Sequence, residues 1–312
     1  MPLPELSVVC VAGKQRLRVH RCLDALAAQT AADRIEVVVV DVAADAGPIA
    51  LPPELGASTV IRGEAGISLG RARALGVRAA SGGAVAFLVD HGYPEPRWAE
   101  AVVNAYAGPW AAVGYAFAPA NPETQAVRAT MLAQFLPWLS PARPGTVRSL
   151  PGNMVSYRSS LLRSCEGGLD GMLEVDHVLH ERIRRGGGEM TVAPDAVVRD
   201  ECFESLADVA LANHVYSEML AVQRARANSW SLPRRIVYAL GSPVGVFAMR
   251  SAQTFAAARR TGRLRALART LPGVLAILAM AALGEARGYL FETRTLGDRF
   301  LWRELNAPRA NG

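Results

Sequence analysis

The stretch FLVDHGYPEPRW, from Phe87 to Trp98, joins the end of a buried strand to a polar turn. Its apolar residues lead to a carboxylate and an imidazole, Asp90 and His91, followed by a Pro-x-Pro turn and a tryptophan. In a parallel sheet, side chains at the carboxyl ends of strands face the crevice where such sheets bind ligands. The stretch therefore predicts a ligand site that contains Asp90 and His91.

Further apolar runs precede this stretch. Leu6–Ala12 and Ile35–Val42 are short and rich in β-branched residues, which is typical of strands buried on both faces. The segment GRARALGVRAA predicts a helix before the strand Ala84–Asp90. Alternating strands and helices predict a doubly wound, mostly parallel α/β sheet, with Asp41 and Asp90 at strand ends. A helix between the first two strands is predicted from apolar residues at helical spacing: Leu17, Cys22, Leu23, Leu26 and Ala27.

The later sequence changes character at about residue 225. Before it, LEVDHVLHERIRRGGG predicts a helix that ends at three glycines, and EMTVAPDAVVRDE predicts a late strand. After it, apolar stretches alternate with arginines. We therefore expect residues 1–225 to form the α/β domain, and residues 226–312 to form a C-terminal helical region that is basic and apolar.

Charge is distributed unevenly along the chain. Residues 226–312 contain fourteen arginines and four acidic residues, a net +10, whereas the remaining residues contain twenty basic and twenty-four acidic groups, a net −4. Such a basic block normally faces a polyanion. The block has few aromatic residues to stack on bases and matches no nucleic-acid-binding motif, so we expect an anionic membrane surface and no nucleic acid.

Two apolar stretches of this region, Ile236–Met249 and Leu271–Leu283, are shorter than the ~20 residues of a spanning helix. We expect Pro243 and Gly245 to break the first stretch, and Pro272–Gly273 to begin the second. Interfacial or re-entrant helices are one interpretation, and two core helices joined by a solvated basic connector are the other. Four separated cysteines and no recognisable signal peptide predict a cytoplasmic protein, peripheral on the inner face of the cell membrane.

Several segments, taken in order, resemble family 2 of the inverting nucleotide-sugar glycosyltransferases with the GT-A fold. The resemblance covers roughly residues 6–205, and a tail at Gly284–Leu290 is similar to that of membrane-associated bacterial members. The segments are LSVVCVA with LRVHRCLDALAAQT, EVVVVDVAAD, GISLGRARALGVRAASGGAVAFLVD, HGYPEPRWAEAV and PGNMVSYRSSLLRSCEGGLDGMLEVDHVLHERIRRGG.

The resemblance implies a hexosyltransferase-type glycosyltransferase for cell-envelope or polysaccharide biosynthesis. Its donor is a nucleotide sugar, for which we expect a UDP-sugar, and its acceptor is a glycolipid, glycan or amphiphilic small molecule. By the same resemblance the nucleotide lies against Asp41, Arg73 and Asp90, with Asp45 as the alternative to Asp41. Val42 and Ala74 replace two polar residues that the family usually has.

The metal motif departs from the family pattern Asp-x-Asp, because this chain reads Val89-Asp90-His91. The family uses Mn²⁺ or Mg²⁺ to neutralise the departing diphosphate, which calls for oxygen ligands. Alignment of the late strand puts Asp200 where some members have a metal-binding histidine. We expect Asp90, His91 and Asp200 to hold the cation. The alternative is that His91 only forms hydrogen bonds in the turn and no metal binds tightly.

For the catalytic base, the resemblance implies a carboxylate at the start of the helix in LEVDHVLHERI. An inverting transfer needs such a group to accept the proton of the attacking hydroxyl. We assign Asp176, with Glu174 in reserve, although a carboxylate there could also interact with the helix dipole. Asn153 is expected in the acceptor pocket or, alternatively, as a loop cap.

The rival hypothesis is a degenerate family member that binds a nucleotide or a partner without transferring sugar. Val42, Ala74 and Val89 favour this rival because each removes an expected polar group. Asp176 favours the enzyme, because a binding module has no need of a base. A nucleotidyltransferase is a weaker third hypothesis, since the loop VAGKQRLR only faintly resembles a signature loop.

Overall fold

The computed structural model describes residues 3–64, 66–292, 295–307 and 309. The chain divides into two compact units. The sheet unit consists of Met1–Ala118 and Ser140–Asp200, and the helical unit consists of Pro119–Leu139 and Glu201–Gly312. Residue 225 lies within the helical unit, and the domain boundary expected there stays a prediction.

Within the described residues, nine strands form one mixed sheet. They are β1 (Leu6–Ala12), β2 (Ile35–Asp41), β3 (Ser58–Arg62), β4 (Ala84–Val89), β5 (Gly92–Pro94), β6 (Ala112–Pro119), β7 (Thr146–Val147), β8 (Val155–Arg158) and β9 (Met190–Asp200). Their order is β3-β2-β1-β4-β8-β6-β9-β5, and β7 also pairs with β9.

The doubly wound part of the sheet consists of β3, β2, β1 and β4, which run parallel. The valine-rich sequences of β1 and β2 form the central strands, where nearly every side chain is buried. Asp41 lies opposite Ala12, and Val89 lies opposite Val11. Asp41 and Asp90 therefore flank the carboxyl end of β1, and the predicted α/β sheet is confirmed.

The other part of the sheet is antiparallel. β8 runs antiparallel to β4 and β6, so the turn that contains Asn153 begins β8 at the edge where β4 ends. The short β5 follows the Asp90–His91 turn and pairs with β9, with Gly92 opposite Asp200. This pairing brings the end of the late strand beside His91, although the two lie far apart in sequence.

The helices of the sheet unit are α1 (Arg16–Ala27), α2 (Leu69–Ala79), α3 (Trp98–Ala105), α5 (Ser159–Arg163), α6 (Leu169–Glu174) and α7 (His177–Arg185). The helix predicted from LEVDHVLHERIRRGGG is interrupted, because α6 ends at Glu174 and α7 begins at His177. Val175, between the two helices, has an extended backbone and a buried side chain. Asp176 consequently lies in a junction between two helices.

The helical unit consists of α4 (Gln125–Gln134), α8 (Leu206–Ala227), α9 (Leu232–Arg260), α10 (Leu264–Leu290) and α11 (Leu296–Leu301). The expected break at Pro243 is wrong, since α9 continues through it. The expected start at Pro272 is also wrong, since α10 begins at Leu264. A proline removes one hydrogen bond from a helix interior, and the long flanking helical segments compensate for that loss here.

α10 has the length and composition of a helix that can cross a membrane, because its most apolar 18-residue window has a mean hydropathy of 1.8. Much of this helix instead packs on α4, α8 and α9, and 39% of that window is buried. A Cβ atom at Gly284 would lie 2.2 Å from the His214 carbonyl oxygen, and one at Gly288 would lie 2.3 Å from that of Glu218. The glycines of GEARGYL therefore let α8 and α10 approach closely.

Candidate active site

Asp41 lies at the carboxyl end of β2, where both of its carboxylate oxygens have protein donors. Its Oδ1 accepts from the Ala43 backbone N–H at 3.0 Å, and its Oδ2 accepts from Arg16 at 2.9 Å. Arg16 also donates to the carbonyls of Ala43 and Gly47, so it fixes the loop after β2. Asp45 is exposed and pairs with Lys14 at 3.0 Å. Asp41, and not Asp45, is the carboxylate at the crevice edge.

The three predicted metal residues lie side by side and are all buried. Nδ1 of His91 lies 2.9 Å from Asp90 Oδ1, and Nε2 lies 3.8 Å from Asp200 Oδ1. The two ring nitrogens point away from each other, so Asp90 and Asp200 flank opposite sides of one imidazole. The pairing of β5 with β9 produces this arrangement.

This geometry fits a cation only in part. Among the described residues there is no group of three or more His, Cys, Asp or Glu side chains able to hold a metal ion. His91 Nε2 and Asp200 can face one cation, while Asp90 orients the ring from Nδ1, a common arrangement around metal-binding histidines. Two protein ligands suffice where substrate phosphates and waters complete the coordination. Val89, at the usual aspartate position, is buried and apolar.

Arg18 also belongs to this cluster, although no sequence motif identifies it. Its Nη2 lies 3.9 Å from Asp90 Oδ2, an oxygen that also accepts from the Gly13 backbone N–H at 3.4 Å. Leu17 was expected on the buried face of α1 but is 66% exposed, and Arg18 is buried instead. The spacing of Arg18 from Cys22 and Leu26, four and eight residues, was the signal for this orientation.

Asp176 lies in a second buried cluster, with Arg73 and Asn153. Its Oδ2 accepts from the Asn153 backbone N–H at 2.7 Å and lies 3.7 Å from Arg73 Nη1. Asp176 occupies the N-cap position of α7, but its side chain makes no capping hydrogen bond to that helix. Oδ1 is buried and accepts no hydrogen bond from any described residue. One oxygen of the carboxylate is thus held, and the other is buried without a described donor.

The surroundings of Asp176 change its proton affinity. Burial raises the pKa of its carboxyl group above the ordinary value, while Arg73, the backbone N–H groups of Asn153 and Asp176, and the nearby Tyr157 hydroxyl lower it. Behind it, the Tyr157 hydroxyl lies 2.8 Å from His180 Nε2, and burial lowers the pKa of His180 to about 3. His180 is therefore neutral, and a carboxylate with a raised pKa is a better proton acceptor than an exposed aspartate.

Glu174, the reserve base, is engaged with the start of α2. Its Oε2 accepts from the Gly70 backbone N–H at 2.8 Å, while Oε1 is buried and accepts from no described residue. A Cβ atom at Gly70 would lie 2.1 Å from the Asp170 carbonyl oxygen, so α2 and α6 are in backbone contact. Glu174 therefore joins α2 to α6 through one oxygen and, with the other, remains the reserve candidate for the base.

Both clusters lie at the same edge of the sheet. Asn153 precedes β8 where that strand runs beside the end of β4. The Arg73 guanidinium carbon lies 5.8 Å from the centre of the Phe87 ring, on β4. Two buried groups of polar side chains thus lie near the carboxyl end of β4, the edge at which doubly wound sheets bind ligands.

The chain belongs to glycosyl transferase family 2, whose family model matches residues 7–163. No protein of curated function matches the sequence significantly. Residues Asp176 and Asp200 lie beyond the matched segment, so their roles rest on the geometry above. The match includes the other candidate site residues, Asp41, Arg73, Asp90, His91 and Asn153.

Among solved structures, the chain is similar to a mannosyltransferase from Pyrobaculum calidifontis in complex with GDP-Man and Mn²⁺. The two are 19% identical, with a TM-score of 0.56, over 91% of this chain and 88% of that one. A structure of GalNAc-T7 with UDP, GalNAc and Mn²⁺ is 15% identical, with a TM-score of 0.46, over 64% of this chain and 44% of that one. The first similarity confirms the GT-A fold and carries no further conclusion.

Proposed function

We propose that this protein transfers a sugar, with inversion, from a nucleotide sugar to a hydroxyl group of an acceptor. The observation that carries the proposal is the buried Asp176 carboxylate of a family 2 glycosyltransferase, because no described residue donates a hydrogen bond to its Oδ1 within bonding distance. An unsatisfied carboxylate oxygen costs free energy, and a module that only binds a nucleotide has no use for a proton acceptor in return. Glu174 Oε1 shares this feature, so Glu174 stays the reserve base.

In this reaction Asp176 Oδ1 takes the proton of the acceptor hydroxyl. The hydroxyl oxygen then forms its bond to the anomeric carbon, from the face opposite the diphosphate. The bond between that carbon and the diphosphate oxygen breaks, and the nucleoside diphosphate leaves with the electron pair. Asn153 keeps the second carboxylate oxygen occupied, so that Oδ1 is the one that faces the acceptor.

The nucleotide is proposed to lie at the crevice edge beside Asp41 and Asp90. UDP is the nucleotide that the family resemblance favours, and GDP is present in the mannosyltransferase structure. Turnover of UDP-, GDP- and dTDP-sugars, each with and without Mn²⁺, tests the function. Release of nucleoside diphosphate that depends on an acceptor supports transfer. Nucleotide binding without any turnover supports the rival hypothesis of a binding-only protein.

A divalent cation is proposed to contact His91 Nε2 and Asp200, with Asp90 holding the imidazole. When bound, it neutralises charge that develops on the departing diphosphate. An imidazole ligand favours Mn²⁺ over Mg²⁺. The wild type should bind Mn²⁺ calorimetrically in the presence of UDP, and Asp200→Asn should abolish that heat. Asp90→Asn should weaken binding about 10- to 100-fold, as losses around a ligand typically do. No heat from the wild type contradicts the site.

The acceptor is proposed to be lipid-linked or amphiphilic, with the protein bound peripherally at the cytoplasmic membrane face. The support is the outer face of α9, which exposes apolar side chains opposite the buried Ala239 and Ala257. Exposed arginines lie at the end of α9 and the start of α10, where they suit acidic headgroups. The exposed apolar residues are Val237, Leu240, Val244 and Phe255.

Flotation with phosphatidylglycerol-containing vesicles tests the membrane proposal on the full chain. The double variant Leu240→Asp with Val244→Asp should lose vesicle binding, since each side chain is 75% exposed and contributes to the apolar face. Leu17→Asp, at another exposed leucine on α1, is the matched control and should still float. A wild type that stays with the soluble fraction contradicts the proposal.

A further inference from the structure

One guanidinium group connects three segments around the proposed base. Arg73, on α2, donates from Nη1 to the Leu173 carbonyl at 3.0 Å and from Nη2 to Asn153 Oδ1 at 2.7 Å. Nη1 also lies 3.7 Å from Asp176 Oδ2. The side chain is only 2% exposed. Arg73 therefore links α2 to the end of α6, to the turn before β8 and to the base.

We propose that Arg73 is a positioning residue that orients Asp176 and keeps it ionised, and that it does not bind the nucleotide. This inference rests on the proposed function, because it assigns the base role to Asp176. It replaces the expectation that Arg73 contacts the base and diphosphate of the donor.

The positioning acts partly through Asn153. The backbone of Asn153 has φ of +74°, a left-handed conformation that a residue other than glycine adopts rarely. In this conformation its N–H donates to Asp176 Oδ2, while its side-chain oxygen accepts from Arg73. Arg73 thus fixes Asn153, and Asn153 in turn fixes the Asp176 carboxylate. The same contacts occupy Oδ2 and leave Oδ1 for the acceptor proton.

The positioning also acts through charge. Burial opposes ionisation of Asp176, and Arg73 is the cation that offsets this effect. The other titratable groups that face Asp176 are neutral: burial raises the pKa of Tyr115 and of Tyr157 well above the usual value. His180, behind Tyr157, is neutral because burial lowers its pKa to about 3. Arg73 is therefore the main group that favours the ionised form of Asp176, ahead of the backbone N–H groups of Asn153 and Asp176 and the Tyr157 hydroxyl.

The position of Arg73 is fixed by the start of its own helix. Gly70, one turn earlier, lets α2 touch α6, because a Cβ atom there would lie 2.1 Å from the Asp170 carbonyl. Gly70 also donates its backbone N–H to Glu174. Arg73 is buried, and both of its Nη groups donate to protein oxygens. It is therefore poorly placed to reach a diphosphate.

The test compares Arg73→Met, which removes the charge, with Arg73→Lys, which keeps it, and with Arg71→Met as the control. Arg71 lies on the same helix, is exposed and pairs with Glu64 at 3.0 Å. Arg73→Met should lower kcat about 100-fold, the lower range for loss of general base catalysis. Its dissociation constant for UDP or GDP should stay within about twofold of the wild type, since the proposal gives Arg73 no nucleotide contact.

The pH profile separates positioning from a general structural effect. Asp176 must be ionised to act, so kcat falls as the pH drops through its pKa. Removing the Arg73 charge raises that pKa further, so the acidic limb should move to higher pH in Arg73→Met and less so in Arg73→Lys. Arg71→Met should leave the limb unchanged. An unchanged limb with a tenfold or larger loss of nucleotide affinity overturns the proposal.

Two measurements keep the test decisive if a variant misfolds or if no donor is turned over. Asn153→Gly keeps the left-handed turn but loses the Arg73 contact, and should move the acidic limb in the same direction. Infrared difference spectra between each protein and its Asp176→Asn form report the ionisation of Asp176 without catalysis. Absence of turnover contradicts the proposed function, whereas identical Asp176 ionisation with and without the Arg73 charge contradicts this inference.

Discussion

Buried carboxylates in the two units of the molecule have different surroundings. In the helical unit, Glu285 accepts from Arg224 at 2.9 Å and from Arg250 at 2.6 Å, one arginine to each oxygen. Glu218 is paired in the same way with Arg287 and Arg299. In the sheet unit, Asp176 keeps one buried oxygen without a donor among the described residues.

The contrast is between carboxylates with both oxygens paired and carboxylates that keep one buried oxygen without a described donor, as Asp176 and Glu174 do. Paired oxygens satisfy the buried charge and connect helices, because Arg224, Arg250 and Glu285 belong to α8, α9 and α10. An unpaired oxygen destabilises the folded chain but can accept a proton from a substrate. Four substitutions test the comparison, from the largest expected effect to the smallest.

Asp176→Asn should have the largest effect, a loss of about 10²- to 10⁴-fold in kcat, the usual range for a general base. The fold should not suffer. Because burial raises the pKa of Asp176, its ionised form destabilises the protein once the pH exceeds that pKa, so Asn should keep or raise Tm at pH 7. Sugar-transfer kinetics and calorimetry measure the two effects. Turnover within tenfold of the wild type contradicts the base assignment.

Glu285→Ala should destabilise the helical unit by about 3 kcal/mol, at the lower end for a broken buried ion pair because both arginines are partly exposed. Denaturant unfolding followed by circular dichroism measures the loss. The proposed chemistry is not in this unit, so the nucleotide dissociation constant should stay unchanged. A stability equal to that of the wild type would show that the ion pairs of Glu285 with Arg224 and Arg250 do not stabilise the fold.

Gly288→Ala should destabilise the protein by about 1–3 kcal/mol, because the new methyl group overlaps the backbone of α8. Gly241→Ala, in α9, is the matched control, since nothing lies within 4 Å of its added Cβ. Alanine has the higher helix propensity, so this control should stabilise the chain by up to about 1 kcal/mol. Opposite shifts in Tm are expected, and shifts of one sign contradict the close contact of α8 with α10.

Glu181→Gln should have the smallest effect, between 0 and about 1 kcal/mol, because exposed ion pairs contribute little to stability. Glu181 lies on α7 and pairs with Arg184 and with Arg185 at the surface. It also serves as the control for Asp176→Asn, and kcat should match that of the wild type. A loss of more than tenfold in kcat would show that the exposed surface of α7 affects the site, and not only the junction with α6 that contains Asp176.

Much of the fold was predictable from local sequence. The apolar runs predicted β1, β2 and β4 within one residue, because a strand buried on both faces needs a continuous run of β-branched residues. Helix boundaries were less predictable. Pro243 and Pro272 were expected to interrupt or delimit helices, yet α9 and α10 continue through them because the long flanking helical segments compensate for one lost hydrogen bond.

The sequence by itself determined the strands of the sheet, because periodicity and strand length are local properties. It also determined that Asp41, Asp90 and Asp176 lie near strand or helix ends. Only the tertiary structure decided which side chains meet. Pairing of β5 with β9 put Asp200 beside His91, and the contact of α2 with α6 turned Arg73 towards Asp176. Such contacts depend on strand pairing and helix packing between distant segments, which no local pattern encodes.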